Sequence, residues 1–329
     1  MRPTGVEVVH VGSAARDIAS DDPRGWRLGG GVTYSALTTA RLGLRTAAVV
    51  GVDHEARTAS ELDALRAAGV DLLIVELPDG PVFHNVETPD GRVQTAVRTG
   101  VPLEPVPLPE SWLNARGWSL VPVAGEVGDA WVDVIPAGAT VAVGWQGLLR
   151  GLTAGQRVKR AIPVARPLIA RADIVAVSRH DVDPATGLGE LAGLLHRGAR
   201  LLVTHGDRGG LLVTTGTTAP LPVLRYLPTH SDGEVDPTGA GDTFLAALLA
   251  SAVRPSVLGP GRRRLGSDLR FAAAAGSLAV EGVGLDGVPH LGAVRRRRVR
   301  EKIRRAVLPS AAVQVGSGDL LEKVDVATR

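Results

Sequence analysis

The sequence contains no cysteine, so disulfides and thiolate metal sites are excluded. Lysine is scarce as well, occurring at positions 159, 302 and 323, so the basic charge is carried by arginine. Aromatic residues make up 3% of the chain and do not interleave with the arginines, which argues against a base-stacking platform for nucleic acid. No run of about 18 apolar residues offers a membrane span, and the opening MRPTGVEVVHVGS lacks the apolar stretch of a secretory leader. The expectation is a cytoplasmic chain that works neither on a membrane nor on nucleic acid. Several catalytic signatures are missing: there is no G-x-x-x-x-G-K-[ST], no G-x-S-x-G and no H-E-x-x-H. The hexapeptide GVGLDG at 282–287 spells G-x-G-x-x-G, but it follows a helical pattern instead of a strand, which is the wrong context for dinucleotide binding. The eight histidines show no ligand spacing.

What is present suits a large α/β core. Hydrophobic residues make up 44% of 329, and 41 glycines with 22 prolines allow many short turns. Apolar runs at 6–11, 46–51 and 72–77 alternate with helical patterns at 33–43 and 55–68, the second closed by Gly69 as a C-cap. Strand–helix alternation of this kind predicts a doubly wound, mostly parallel sheet flanked by helices. The rhythm breaks at 80–100, where GPVFHNVETPDGRVQTAVRTG alternates with period two around Pro-Asp-Gly. With residues 22–28, this hairpin predicts a small β-lid. Strands are then expected at 119–123, 140–143, 173–177 and 201–205, with helices at 126–135, 163–171 and 187–197. An antiparallel edge is expected from 211–214 and 223–227, followed by two strongly apolar helices at 240–252 and 268–281. The domain would span 1–292. Residues 293–329, with RRRRVREKIRR at 295–305, read as a basic extension with a solvated face, and nucleic-acid binding through it is the less favoured reading. An exposed lid edge could pair two subunits into a homodimer.

The stretch VDPTGAGDTF at 235–244 poses a question of charge. Gly239 and Gly241 permit unusual backbone angles and close approach of a ligand to the main chain. A helix starting near Ala240 points free N–H groups forward and attracts anions. Asp242, on its first turn, would repel an anion unless a proton is to be removed there. A base beside an anion site is what activation of an alcohol toward a phosphoryl group requires.

DPTGAGDTF also resembles the C-terminal signature of the ribokinase/PfkB carbohydrate kinase family, usually written DTTGAGDTF. The resemblance extends over roughly residues 5–290 and implies an ATP- and Mg²⁺-dependent kinase with a small polyol substrate. It implies Asp242 as catalytic base, an anion hole at Gly239, Ala240 and Gly241, and Asp236 and Thr238 near a monovalent cation such as K⁺. VGSAARDI matches the family's first strand, with Asp17 as an acceptor-binding carboxylate. GGGVTYSALTTARLG is similar to the N-terminal signature, with Gly30, Gly31 and Ser35 at motif positions. Val32 and Ser35 stand where ribokinase itself carries a lysine and an asparagine, which points away from ribose. Asn85 falls on the family's lid, and VAVGWQGLLR puts Gln146 where many relatives have asparagine, a form similar to the branch that includes inositol kinases. In VSRHDVD, Ser178 and Asp181 replace the family's Asn and Glu near phosphate and magnesium. VTHGDRGGLLV brings Thr204, Gly206 and Arg208 toward the nucleotide, and FAAAAGSLAVEGVG brings Ala274 and Ser277 toward adenine. A nucleoside acceptor, or a degenerate kinase that binds without turnover, are the alternatives.

Overall fold

The computed structural model describes residues 5–88, 91–216, 222–227, 231–260, 266–300, 302–307 and 325–326. In an 11-stranded sheet, β1 (Val8–Ser13) lies third from one edge, between and parallel to β4 (Thr46–Val52) and β8 (Gly117–Leu120). The parallel run continues through β5 (Asp71–Glu76) on one side. On the other it continues through β9 (Thr140–Gly144), β13 (Ile174–Ser178) and β14 (Arg200–Thr204). Four antiparallel strands complete that side: β15 (Gly210–Thr214), β16 (Pro222–Tyr226), β17 (Ile303–Val307) and β18 (Asp325–Val326).

Both faces of the sheet are covered, which is why its strands read as unbroken apolar runs. Val8, Ala48, Val50, Ile174 and Leu202 face one core, built with α1 (Gly31–Arg41), α2 (Ser60–Ala67), α6 (Ala240–Val253) and α7 (Ser267–Ala279). Val9, Val11, Val49, Val175 and Leu201 face the other, with α3 (Glu110–Leu113), α4 (Pro167–Arg171), α5 (Leu188–Gly193) and the fully buried Trp112, Trp118, Trp131 and Trp145. Every residue of α6 from Thr243 to Ser251 is buried, so this helix is central and its only route to a ligand is its N-terminus.

A five-stranded lid stands apart from the main sheet. It contains β2 (Arg16–Ile18), β3 (Trp26–Leu28), β6 (Pro81–Thr88), β7 (Gly91–Thr99) and β11 (Gln156–Arg157), in the order β11-β7-β6-β2-β3. The expected hairpin is present, and its Pro-Asp tip at 89–90 lies outside the described residues. The lid is larger than expected, gaining strands at 16–18 and 156–157. Beside it, β10 (Arg150–Gly151) pairs with β12 (Lys159–Arg160).

Three expectations need correction. The helix at 55–68 is interrupted: Ala59 is extended, so a 3₁₀ turn at Ala56–Thr58 precedes the shorter α2. No α-helix forms at 126–135, where a 3₁₀ turn covers Asp129–Asp133. Its polar side chains are engaged elsewhere: Glu126 accepts the N–H groups of Ser13, Val123 and Ala124, and Asp129 accepts that of Leu168. Third, the described part of the segment after 292 is joined to the domain. The helix α8 (Leu291–Arg297) packs on α7, and β17 adds a strand to the main sheet beside β16. Arg295 and Arg298 donate to the carbonyls of Ser256, Val257 and Leu258, so part of the basic charge caps a turn of the core.

One ionisable group is committed to the interior. His10 on β1 is fully buried, with Nε2 2.8 Å from the Thr39 hydroxyl, and burial pushes its pKa down to about 3. The fold therefore holds neutral imidazole, whereas the unfolded chain titrates near the ordinary 6.5. This stabilisation is complete above pH 6.5 and falls by up to about 1.4 kcal/mol per pH unit down to the folded value. Melting temperatures measured from pH 7 to pH 5 should decline in the wild type and less steeply in His10→Gln. Parallel slopes would mean that His10 is not the group that titrates.

Candidate active site

Two glycines start the two helices that frame the site. Gly239, at the N-cap of α6, has φ 76°, and a Cβ there would lie 2.1 Å from the Tyr34 ring. Gly30, at the N-cap of α1, has φ 94°, and a Cβ there would lie 2.6 Å from the Ser13 carbonyl oxygen. Tight turns at both positions bring the N-termini of α1 and α6 together. A Cβ added to Gly31 would lie 2.8 Å from Asp242 Oδ1, so the carboxyl of Asp242 sits against the first turn of α1 as well as on its own helix.

A cavity of about 650 Å³ opens at this junction, along the carboxyl ends of the parallel strands. Open α/β sheets bind ligands at that edge. Its walls bring together most of the residues singled out above. Asp17, Gly30, Gly31, Asn85 and Gln146 lie toward the lid, and Thr238, Gly239, Ala240, Gly241 and Asp242 lie on the loop. Ser178, Asp181, Thr204, Gly206 and Ser277 line it too. Four expected residues do not. Ser35 points into the core, fully buried, because α1 turns that face toward the sheet. Ala274 is likewise packed in the core, while its neighbours Ala273, Gly276 and Ser277 reach the cavity. Arg208 folds onto His205, 2.5 Å from its Nε2. Asp236 lines a second cavity of about 590 Å³, which shares Asp17, Tyr34, Asn85, Pro237 and Thr238 with the first.

The lid residues form a directed chain of hydrogen bonds. Gln94 Nε2 donates to Asn85 Oδ1 at 2.7 Å, and Asn85 Nδ2 donates to Asp17 Oδ1 at 2.8 Å. Strand alternation sends the preceding Arg16 the other way, onto Asp53 at 2.6 Å, so β2 is pinned to the end of β4 and Asp17 faces the cavity.

Arg150 closes the QGLLR stretch, where the sequence has an arginine at a motif position but no site role for it. Its Nη1 donates to the Val123 carbonyl at 2.8 Å, and its guanidinium lies over the Phe83 ring. Burial lowers its pKa, while the charges of Asp181, Asp17, Asp242 and Glu126 act in the opposite direction. Burial also raises Asp181, against the influence of Arg150 and a hydrogen bond from Gln146. For Asp242, burial raises the pKa, Arg150 lowers it and Asp181 raises it, leaving it pushed up to about 6. A cationic side chain thus stands among several carboxylates, and burial raises three of them, Glu126, Asp181 and Asp242. Glu126 braces this arrangement by accepting the Val123 N–H, next to the carbonyl that holds Arg150. Tyr34, Phe83, Tyr226 and Glu234 also line the cavity without having been foreseen, since nothing in their local sequence marks them.

A doubly wound sheet, a β-lid and a cavity ending on a Gly-Ala-Gly-Asp helix start define the class: a kinase of the ribokinase fold. Residues 152–290 match the model of the pfkB family carbohydrate kinases. A cytidine kinase of Thermococcus kodakarensis is 27% identical over 260 residues, covering 77% of this chain and 84% of that protein. Among solved structures, ribokinase of Arabidopsis thaliana complexed with ribose and ATP superposes with TM-score 0.65 at 21% identity, covering 89% of this chain and 99% of that one. A pyrophosphate-dependent myo-inositol-1 kinase variant superposes with TM-score 0.64 at 18% identity, covering 87% and 98%. The chain is a phosphotransferase with the ribokinase fold, and over residues 152–290 it is similar to the pfkB family. Among the described residues, no helix is long and apolar enough to cross a membrane.

The contact between Gly239 and Tyr34 yields a prediction. Gly239→Ala should cost about 1–2 kcal/mol for the left-handed backbone and about 1–3 kcal/mol for the overlap with the ring. Urea denaturation should register this as a lowered midpoint; an unchanged midpoint would show that the turn and the ring separate without strain.

Proposed function

We propose that this kinase transfers the γ-phosphoryl group of ATP to a hydroxyl of a small sugar or cyclitol, with Asp242 as general base. The reading is carried by one observation: the Asp242 carboxyl stands where two helix N-termini meet, with a pKa pushed up to about 6. A base of that strength is ionised near neutral pH yet still takes a proton readily.

The acceptor would bind between Asp17, Asn85, Gln146 and the Gly30–Gly31 turn, under the lid. As its hydroxyl oxygen attacks the γ-phosphorus, its proton passes to Asp242. The bond from phosphorus to the bridging oxygen breaks, and ADP leaves with the electron pair. The N–H groups of Gly239, Ala240 and Gly241 would hold the transferring phosphoryl oxygens, assisted by the α6 dipole. Arg150 would neutralise charge that builds in the transition state. The donor would run past Ser178, Thr204 and Gly206 toward Ser277. Closure of the lid excludes water, which would otherwise compete as acceptor.

Among the described residues, no group of three or more His, Asp or Glu side chains forms a dedicated metal cage. That fits Mg²⁺, which binds chiefly through phosphates and keeps its waters. The carboxylates of Asp181 and Asp242 face the cationic Arg150, and the carboxylate surplus suits a divalent ion. Asp181 would hold Mg²⁺ through water, and the ion would supply charge neutralisation between the terminal phosphates. For a monovalent cation, Asp236 and Thr238 would supply oxygens; each Asp236 oxygen already accepts an N–H, from Thr238 and Gly284.

A nucleoside acceptor is the second reading. The adjoining second cavity gives the acceptor side room beyond a single ring, and the cytidine kinase relative supports it. ADP release with ribose, myo-inositol and cytidine in parallel separates the readings. Turnover with cytidine alone would overturn the polyol assignment.

Asp242→Asn should lower kcat by about 10²–10⁴ with nucleotide affinity retained, as expected for loss of a general base. A variant with full turnover and merely a lower Tm would remove Asp242 from the chemistry. In the wild type, kcat/KM should rise with pH and level off above the Asp242 pKa of about 6, because the protonated carboxyl cannot accept the hydroxyl proton. A rate independent of pH from 5 to 8 would contradict this role.

A further inference from the structure

We infer that Arg297, within the arginine-rich stretch, is a positioning residue for the nucleotide donor; this inference rests on the kinase reading above. Arg297 ends α8 and is buried, with its side chain 7% exposed. Its Nη1 lies 2.8 Å from Glu281 Oε1, and its Nη2 lies 3.0 Å from Asp232 Oδ2. The Asp232 N–H donates to the same Glu281 oxygen at 2.8 Å. Just beyond, the N–H groups of Val235 and Asp236 both donate to the Val280 carbonyl, at 2.7 and 3.1 Å. Residues 231–236 are thereby stitched to the turn that follows α7.

Both stitched segments border the donor end of the main cavity. Ser231 and Glu234 come from the first and Val280 from the second, alongside Tyr226 and Ser277. The first segment also runs directly into the Asp236–Asp242 loop. Arg297 itself does not line the cavity, so it acts through the wall it fixes.

Electrostatics explains why an arginine is required. Glu281 lies one residue past the C-cap of α7, at the negative end of that helix dipole, where a carboxylate is disfavoured. Asp232 brings a second carboxylate to the same place. The buried guanidinium turns their repulsion into a bridge, and its planar fork serves both partners at once. Without it, two like charges share one site and push the 231–236 segment off Val280. The core of α6 would stay in place, because its anchoring contacts are apolar and lie elsewhere.

The test is calorimetric titration of the full chain with ADP, paired with steady-state kinetics. Arg297→Ala should weaken ADP binding and raise the donor KM by about tenfold or more, a change of about 1.4 kcal/mol. The acceptor KM and the kcat at saturating donor should stay within about twofold, the split expected when only uniform donor binding is lost. Adding Glu281→Gln to Arg297→Ala should recover part of the affinity by removing the repulsion. If Arg297→Ala does not fold, Asp232→Ala carries the test, since that side chain is 71% exposed; it should weaken ADP by about threefold, in keeping with a partly exposed pair. Folded variants that bind ADP as the wild type does would overturn the inference while leaving the kinase reading intact. So would a lost kcat with unchanged ADP affinity. A wild-type protein that binds no ADP would instead sink the kinase reading, and the inference with it.

Discussion

Two helix N-termini converge on the carboxyl of Asp242, and much of the molecule serves to hold them there. The convergence depends on backbone geometry that side chains would forbid: Gly239 against Tyr34, Gly30 against the Ser13 carbonyl, Gly31 against Asp242. It also depends on α6 being buried from Thr243 to Ser251, because a helix gripped there on every side cannot rotate its first turn away. Burial has a second effect. It withdraws water from the carboxyl and raises its pKa, so the packing that fixes the position of the group also sets its proton affinity.

The surrounding charges follow from the same desolvation. The charges of Asp181, Asp17, Asp242 and Glu126 all act on the buried Arg150, and Arg150 in turn acts on Asp181 and Asp242. Negative charge exceeds positive at the junction. The lid supplies the remaining polarity through the fixed chain Gln94–Asn85–Asp17, whose direction leaves Asp17 accepting. At the far end, the bridge of Arg297, Glu281 and Asp232 joins the C-terminal helix to the wall of the same cavity. Basic residues that look superfluous along the chain are thus structural, with Arg295 and Arg298 capping carbonyls in the same manner.

Legibility in the sequence depended on how local each feature is. The parallel strands were visible because a doubly covered strand must be apolar on both faces, and α6 and α7 because their apolar stretches are too long for strands. The loop at 235–244 was visible because its glycines and aspartates act through their own backbone. Residues 126–135 misled because Glu126 and Asp129 spend their side chains on distant amides, and a helical spacing cannot reveal such partners. Ser35, Ala274 and Arg208 sat at motif positions, yet helix rotation and a neighbouring histidine turned them away from the cavity. Tyr34 and Tyr226 reached it without any local signal, and Arg150, although it closes the QGLLR stretch, was not marked as a site residue, since their place depends on which strand lies beside which.

What the chain determined by itself was therefore the set of elements, the family resemblance and the loop that carries it, because these are written in periodicity and in contiguous residues. Only the tertiary structure decided how that loop is used: that α1 and α6 share one carboxyl, that Arg150 stands among the acids, and that the arginine-rich segment reaches the cavity wall. Each of these joins residues far apart in the chain. Their energies come from burial and from charges brought within a few ångströms, which exist only once the chain has closed on itself.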